Sequence, residues 1–240
     1  MKMYKLLLIF IPVFISIFIG CNKSNNIDVN DISLIDYHYP NDSLLTPKVF
    51  IYQRIEDSNE VSPILRQINI RNDSVFLIER RLGQGTLRDS TVYLIENDNI
   101  QLFEIFNYAK DRESETTKLS KGEIVKDYNS LTKSESKVRF TSPFNASLIT
   151  KIETYSELDS ILQYKYNGDL IPSLRYQDHA NLWVGHKYIP FLNKSIEANS
   201  KSIIAKNIGL VFYTTHDHES NQEYSYVLKN IIDYKEYCEK

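Results

Sequence analysis

Asn72-Asp73-Ser74-Val75-Phe76-Leu77-Ile78-Glu79-Arg80-Arg81-Leu82-Gly83-Gln84-Gly85 opens the stretch that decides the fold, and Thr91-Val92-Tyr93-Leu94-Ile95 completes it. Both apolar runs are rich in β-branched and aromatic residues and too short for an ordinary helix. Asn-Asp before the first run and Gly-Gln-Gly between the two are turn chemistry, so the pair reads as antiparallel strands. Arg80 and Arg81 then point to opposite faces and form no patch. Upstream, Lys48-Val49-Phe50-Ile51-Tyr52 is a further strand, and Ile64, Arg66, Ile68 and Ile70 fall on one face of the next. Downstream, residues 100–106 follow the Asn97-Asp98-Asn99 turn. Short polar gaps between successive runs are the spacing of a meander.

The remaining text is read in the same way. Residues 108–137 are poor in apolar side chains and read as a long exposed loop or splayed hairpin, a candidate lid, with Ile124-Val125 as its apolar grip. Ser156-Glu157-Leu158-Asp159 imitates a capping box, and Leu158, Ile161 and Leu162 share a helical face. A helix over 157–166, ended by Asn167-Gly168, follows. Residues 181–185 and 187–192 read as strands, and 202–215 with 224–233 as a hairpin. The expected architecture is mainly β: a curved antiparallel sheet or half-barrel meander with one short helix. Aromatic residues in its strands, Trp183 included, are expected in the core.

The beginning of the chain is of another kind. Lys2 and Lys5 precede a 14-residue apolar run at 6–19, broken only by Pro12 and Ser16. As a helix it spans about 21 Å, short of the roughly 30 Å of a bilayer core, so it reads as a secretory leader rather than a permanent span. Phe18-Ile19-Gly20-Cys21 then resembles the lipobox of bacterial lipoproteins, in which a small residue precedes the acylated cysteine; Phe18 stands where an aliphatic residue is usual. The resemblance implies lipidation of Cys21 and membrane attachment through more than one acyl chain, which is what stable anchoring requires. The polar residues that follow read as a tether. Asn22 in place of Asp implies the outer membrane of a Gram-negative envelope. The expected organisation is a signal peptide at 1–20, a lipidated, flexible tether at 21–45 and a single β-rich domain at 46–240.

A second resemblance lies near the other end. Ala205-Lys206-Asn207-Ile208-Gly209-Leu210-Val211, running into Tyr224 to Leu228, looks like the closing hairpin of small β-rich envelope lipoproteins. Some of these share a curved half-barrel with lipoprotein carrier proteins, which implies the same kind of sheet here.

The balance of 28 basic against 31 acidic residues, more acidic still without Lys2 and Lys5, argues against nucleic acid as a partner. With Cys21 lipidated, Cys238 is the one remaining thiol, so no intrachain disulfide forms and a tail thiol is an inert one. Gly83-Gln84-Gly85 lacks the third glycine of a dinucleotide loop, there is no Gly-x-Ser-x-Gly, and Gln222 replaces the second histidine of a zinc-protease motif. His216 and His218 lie on one side of an extended segment, as two metal ligands would, but no third ligand is identifiable; no metal or other cofactor is expected. The reading is a lipid-anchored, non-enzymatic envelope protein whose β-domain binds an apolar small molecule or an envelope protein. The alternatives are a structural or surface-interaction lipoprotein without a pocket, and an envelope hydrolase whose groups converge only in space.

Overall fold

The two apolar runs at the centre of that reading pair as antiparallel strands, as expected. β3 (Ser74–Gly83) pairs antiparallel with β4 (Thr86–Glu96), Val75 opposite Ile95 and Ile78 opposite Val92. The computed structural model describes residues 32–38, 44–83, 86–97, 99–110, 117–217 and 222–239. Cys21, the leader at 1–20, the turn residues Gln84 and Gly85, and His218 lie outside the described residues.

β1 (Lys48–Arg54), β2 (Val61–Arg71), β3, β4, β5 (Asn99–Lys110) and β6 (Thr117–Lys121) form one meander. A second comprises β7 (Glu123–Asn129), β8 (Lys133–Thr141), β9 (Leu148–Tyr166), β10 (Asp169–His186), β11 (Ile189–Ala205), β12 (Gly209–Asp217) and β13 (Gln222–Asp233). The pairing of β1 with β13 joins the two into a single thirteen-stranded antiparallel sheet. Its turns use residues that tolerate positive φ: Asn72 and Asp73 (φ 49° and 62°) between β2 and β3, Asn167 and Gly168 (φ 50° and 98°) between β9 and β10.

Because order in the sheet follows order in the chain, its two edges are consecutive strands, β6 and β7. The sheet curls until they meet, and the barrel is nearly closed. Among the described residues no β-ladder crosses the seam. Gly122 N–H donates to the Ile105 carbonyl at 2.8 Å, Leu102 N–H to Asp127 Oδ2 at 2.7 Å, and Asn129 Nδ2 to the Ile100 carbonyl at 3.1 Å. Ser120 Oγ donates to the Thr141 carbonyl at 2.8 Å. The side chains of Asp127 and Asn129 thus do for β5 what a neighbouring backbone would do.

The expected helix at 157–166 is strand, the second half of β9. The cause is a β-bulge: Ser160 faces Arg175 and Leu158 faces Tyr176, so Asp159 is the extra residue. The insertion brings Leu158 and Ile161 to the same face, against Leu174 and Tyr176. Their three-residue spacing imitates a helix for that reason. Residues 202–215 are likewise not one strand: β11 ends at Ala205, and Asn207 (φ 61°) and Gly209 (φ 91°) turn the chain into β12. The segment 108–137, expected as a long exposed loop or a splayed hairpin, contains β6 and β7, and β7 pairs antiparallel with β8.

The compact unit begins at Ile32 rather than at 46. Within the stretch expected as tether, α1 (Leu34–His38) buries Leu34 and Tyr37, and Leu44 is fully buried. This helix touches β5 on one wall and β11 and β12 on another, which seals part of the interior. Leu34 and Leu44 join Phe50, Leu77, Ile100 and Val211 in the main core. Outside the barrel, Tyr237 of α2 (Tyr234–Cys238) covers Val49, Leu65 and Ile232.

A Cβ at Gly122 would lie 2.6 Å from Ile105 Cγ2, 2.7 Å from Val138 Cγ1 and 2.9 Å from Phe140 Cε1. Gly122→Ala is therefore expected to overpack the seam and destabilise the fold by about 1–3 kcal/mol. Thermal unfolding followed by circular dichroism tests this. An unchanged melting temperature contradicts the seam packing.

Candidate functional site

Alternation in β2 to β4 places a row of charge on the inner wall. Register sets Arg66 opposite Glu79, Glu79 opposite Thr91, and Arg81 opposite Asp89. Arg66 Nε meets Glu79 Oε1 at 2.7 Å, and the guanidinium of Arg66 lies 4.5 Å from the centre of the Phe50 ring. A buried arginine is tolerable only with such partners. Arg81 is held less tightly, its Nε 3.9 Å from Asp89 Oδ1, and its side chain keeps 69% exposure. Arg80 faces outwards and lines a separate exterior groove, as strand alternation requires.

This row lines an interior cavity of about 690 Å³. The opposite wall is hydroxyl-bearing: Ser134, Ser136 and Thr154, with Ser136 Oγ and Thr154 Oγ1 2.7 Å apart. Between the polar walls lie Ile100, Leu102, Ile105, Val138, Phe140 and Ile152. Asp127 also faces the cavity, and burial raises its carboxyl above the usual range against the lowering effect of the Leu102 amide. Burial raises Asp89 as well, opposed by Arg81. The cavity is amphipathic, with ionised groups and a hydrocarbon wall within one space.

His38, the last residue of α1, lies at the wall beside Arg66. Burial, then the charge of Arg66, pushes its imidazole from 6.5 down to about 4. Gly209 makes this approach possible, since a Cβ there would stand 2.8 Å from Arg66 Nη1 and 3.1 Å from the His38 carbonyl.

The residues singled out from the sequence lie elsewhere. His216 is in β12 opposite Glu223, away from the cavity, and Cys238 is exposed on α2. Among the described residues no group of three His, Cys, Asp or Glu side chains could hold a metal ion. Trp183 is not in the core; it is half-buried near the β10–β11 turn. The cavity residues gave one signal in the sequence: Arg66 interrupts the apolar face of Ile64, Ile68 and Ile70.

No protein-family model and no curated protein matches the chain. Similar solved structures include a candidate lipoprotein from Parabacteroides distasonis, 13% identical with a TM-score of 0.47, the match covering 82% of this chain and 98% of that one. Another is a candidate exported protein with a YmcC-like fold from Bacteroides fragilis, 11% identical with a TM-score of 0.48, covering 82% of this chain and 99% of that one.

The His38 shift sets a pH dependence. A folded-state pKa depressed from 6.5 to about 4 means that the unfolded chain binds more protons between those values. Its contribution is present above pH 6.5 and is lost as the pH falls towards 4. Denaturant titrations should show wild type losing more stability over this interval than His38→Asn. Parallel curves would contradict the assignment.

Proposed function

We propose that the mature chain is a lipid-anchored lipoprotein of the cell envelope, attached through Cys21 to the outer membrane, whose barrel binds a small amphipathic molecule. The anchor rests on the short apolar leader ending at Gly20-Cys21 and on Asn22 after it. The binding role rests on one observation: a cavity of about 690 Å³ in which the accessible Arg81 faces an apolar wall. That volume suits a small ligand. A pure hydrocarbon would strip water from Arg81, Asp89 and Asp127 without replacing its hydrogen bonds, at a cost of roughly several kcal/mol. A ligand with a polar or ionised head and an apolar body answers both walls.

The carboxylates in the cavity favour binding over hydrolysis. Glu79 is paired with Arg66, Asp89 with Arg81 and Glu135 with Lys126, while Asp127 accepts the Leu102 amide. Each carboxylate has a partner in the wall, the loosest being Asp89, whose Oδ1 lies 3.9 Å from Arg81 Nε.

Two experiments separate anchor from ligand. Cys21→Ser should move the protein out of the membrane pellet on fractionation and alter its mobility; retention with wild-type mobility contradicts the anchor. Native mass spectrometry of the purified protein should show a bound small molecule. Arg81→Gln combined with Asp89→Asn, which removes both charges together, should lose it. No bound mass in the wild type would leave a structural lipoprotein as the better account.

A further inference from the structure

A second surface combines exposed aromatics with positive charge. The β8–β9 and β10–β11 turns lie side by side: Lys187 N–H donates to the Ser147 carbonyl at 2.7 Å, and His186 pairs with Leu148. Residues 142–152 and 183–196 contain no Asp or Glu, although the chain has 31 of them, and they carry Lys151, Lys187 and Lys194. Phe191 is 86% exposed and Tyr188 69%, and Phe144, Leu148 and Val184 are also exposed. Lysines cap the rings: Lys151 Nζ is 4.6 Å from the centre of Trp183, and Lys187 Nζ 5.5 Å from that of Tyr188.

The tip is built rather than frayed. A Cβ at Gly185 would collide with the Trp183 ring and with Asn193 Oδ1. That same oxygen accepts the His186 N–H at 3.2 Å. β11 has ladder partners in β12 only from Ser202 to Ala205, and Lys201 N–H donates to Thr214 Oγ1 at 2.9 Å, so residues 189–200 extend beyond that pairing and carry the tip out as a projection. Aromatic rings with lysine stems beside them are the chemistry of the boundary between water and lipid, and an acid-free cationic tip complements an anionic surface.

We propose that this tip docks onto an anionic lipid surface, inserting Tyr188 and Phe191 at the headgroup boundary while Lys151, Lys187 and Lys194 meet lipid phosphates. The contact is separate from the Cys21 anchor and gives the membrane a second hold on the chain. It also sets how the barrel faces the bilayer.

Trp183 is the sole tryptophan in the chain and reports on the tip directly. The full chain, purified from bacterial membranes, is mixed with vesicles of equal parts phosphatidylglycerol and phosphatidylcholine, with and without brominated acyl chains. Sedimentation with the vesicles reads the anchor, and Trp183 emission reads the tip. The expected result is a blue shift with quenching by the brominated lipid, several-fold weaker in phosphatidylcholine alone. Tyr188→Ser with Phe191→Ser, and separately Lys187→Glu with Lys194→Glu, should reduce the quenching several-fold while circular dichroism and sedimentation stay the same. Emission indifferent to vesicles overturns the proposal even where the chain sediments. So does a blue shift that follows protein concentration instead of lipid, which would mean that a second copy covers the tip. Quenching without stable sedimentation would uphold the tip and count against the anchor.

Discussion

The antiparallel pairing of β1 with β13 is the constraint on which the rest depends. Every other ladder joins strands adjacent in the chain and closes a local turn, whereas Val49 opposite Ile232 and Phe50 opposite Ile231 join the two ends of the domain. Closing so long a loop is entropically expensive, and the burial of Val49, Phe50, Tyr52, Leu228 and Ile232 offsets it. Tyr52 adds a hydrogen bond from its hydroxyl to the Leu210 carbonyl at 2.8 Å. With the ends joined, the remaining opening falls halfway along the chain, between β6 and β7. The seam, the cavity beside it and the helix that seals part of the interior all follow from that placement.

Strands and hairpins were legible because their signals are local. Asn72-Asp73 and Asn167-Gly168 take the positive φ values that tight hairpins need, and the runs beside them alternate or are fully apolar. What was not legible depends on distant neighbours. The Asp159 bulge makes a strand look helical, because the face on which Leu158 and Ile161 meet exists only opposite Tyr176 and Leu174. Residues 117–129 look like loop because an edge strand has one partner and few buried positions, and here side chains replace the second ladder. The ring of Trp183 suggests core by type, yet the strand end that carries it lies at a projecting tip.

The candidate site shows the same division. Arg66 on an apolar face was visible; that Glu79 pairs with it, and that Arg81 and Asp89 continue the row, needed the register of three strands. Local chemistry pointed to His216 and His218, whose spacing in the sequence resembles that of ligands. The groups that share a cavity come from strands that meet only when the sheet curls. The interior therefore combines two demands, ionised groups that must keep water or partners and a hydrocarbon wall that must shed water.

Amide hydrogen exchange resolved along the chain tests the architecture most directly. If the β1–β13 pairing holds the barrel and the seam is its weakest line, amides of Phe50, Tyr52, Leu228 and Ile232 should exchange only by global unfolding. Leu102 and Gly122, bonded across the seam, should exchange by local opening at a lower free energy. Exchange of the β1 and β13 amides ahead of Leu102 and Gly122 would contradict the account.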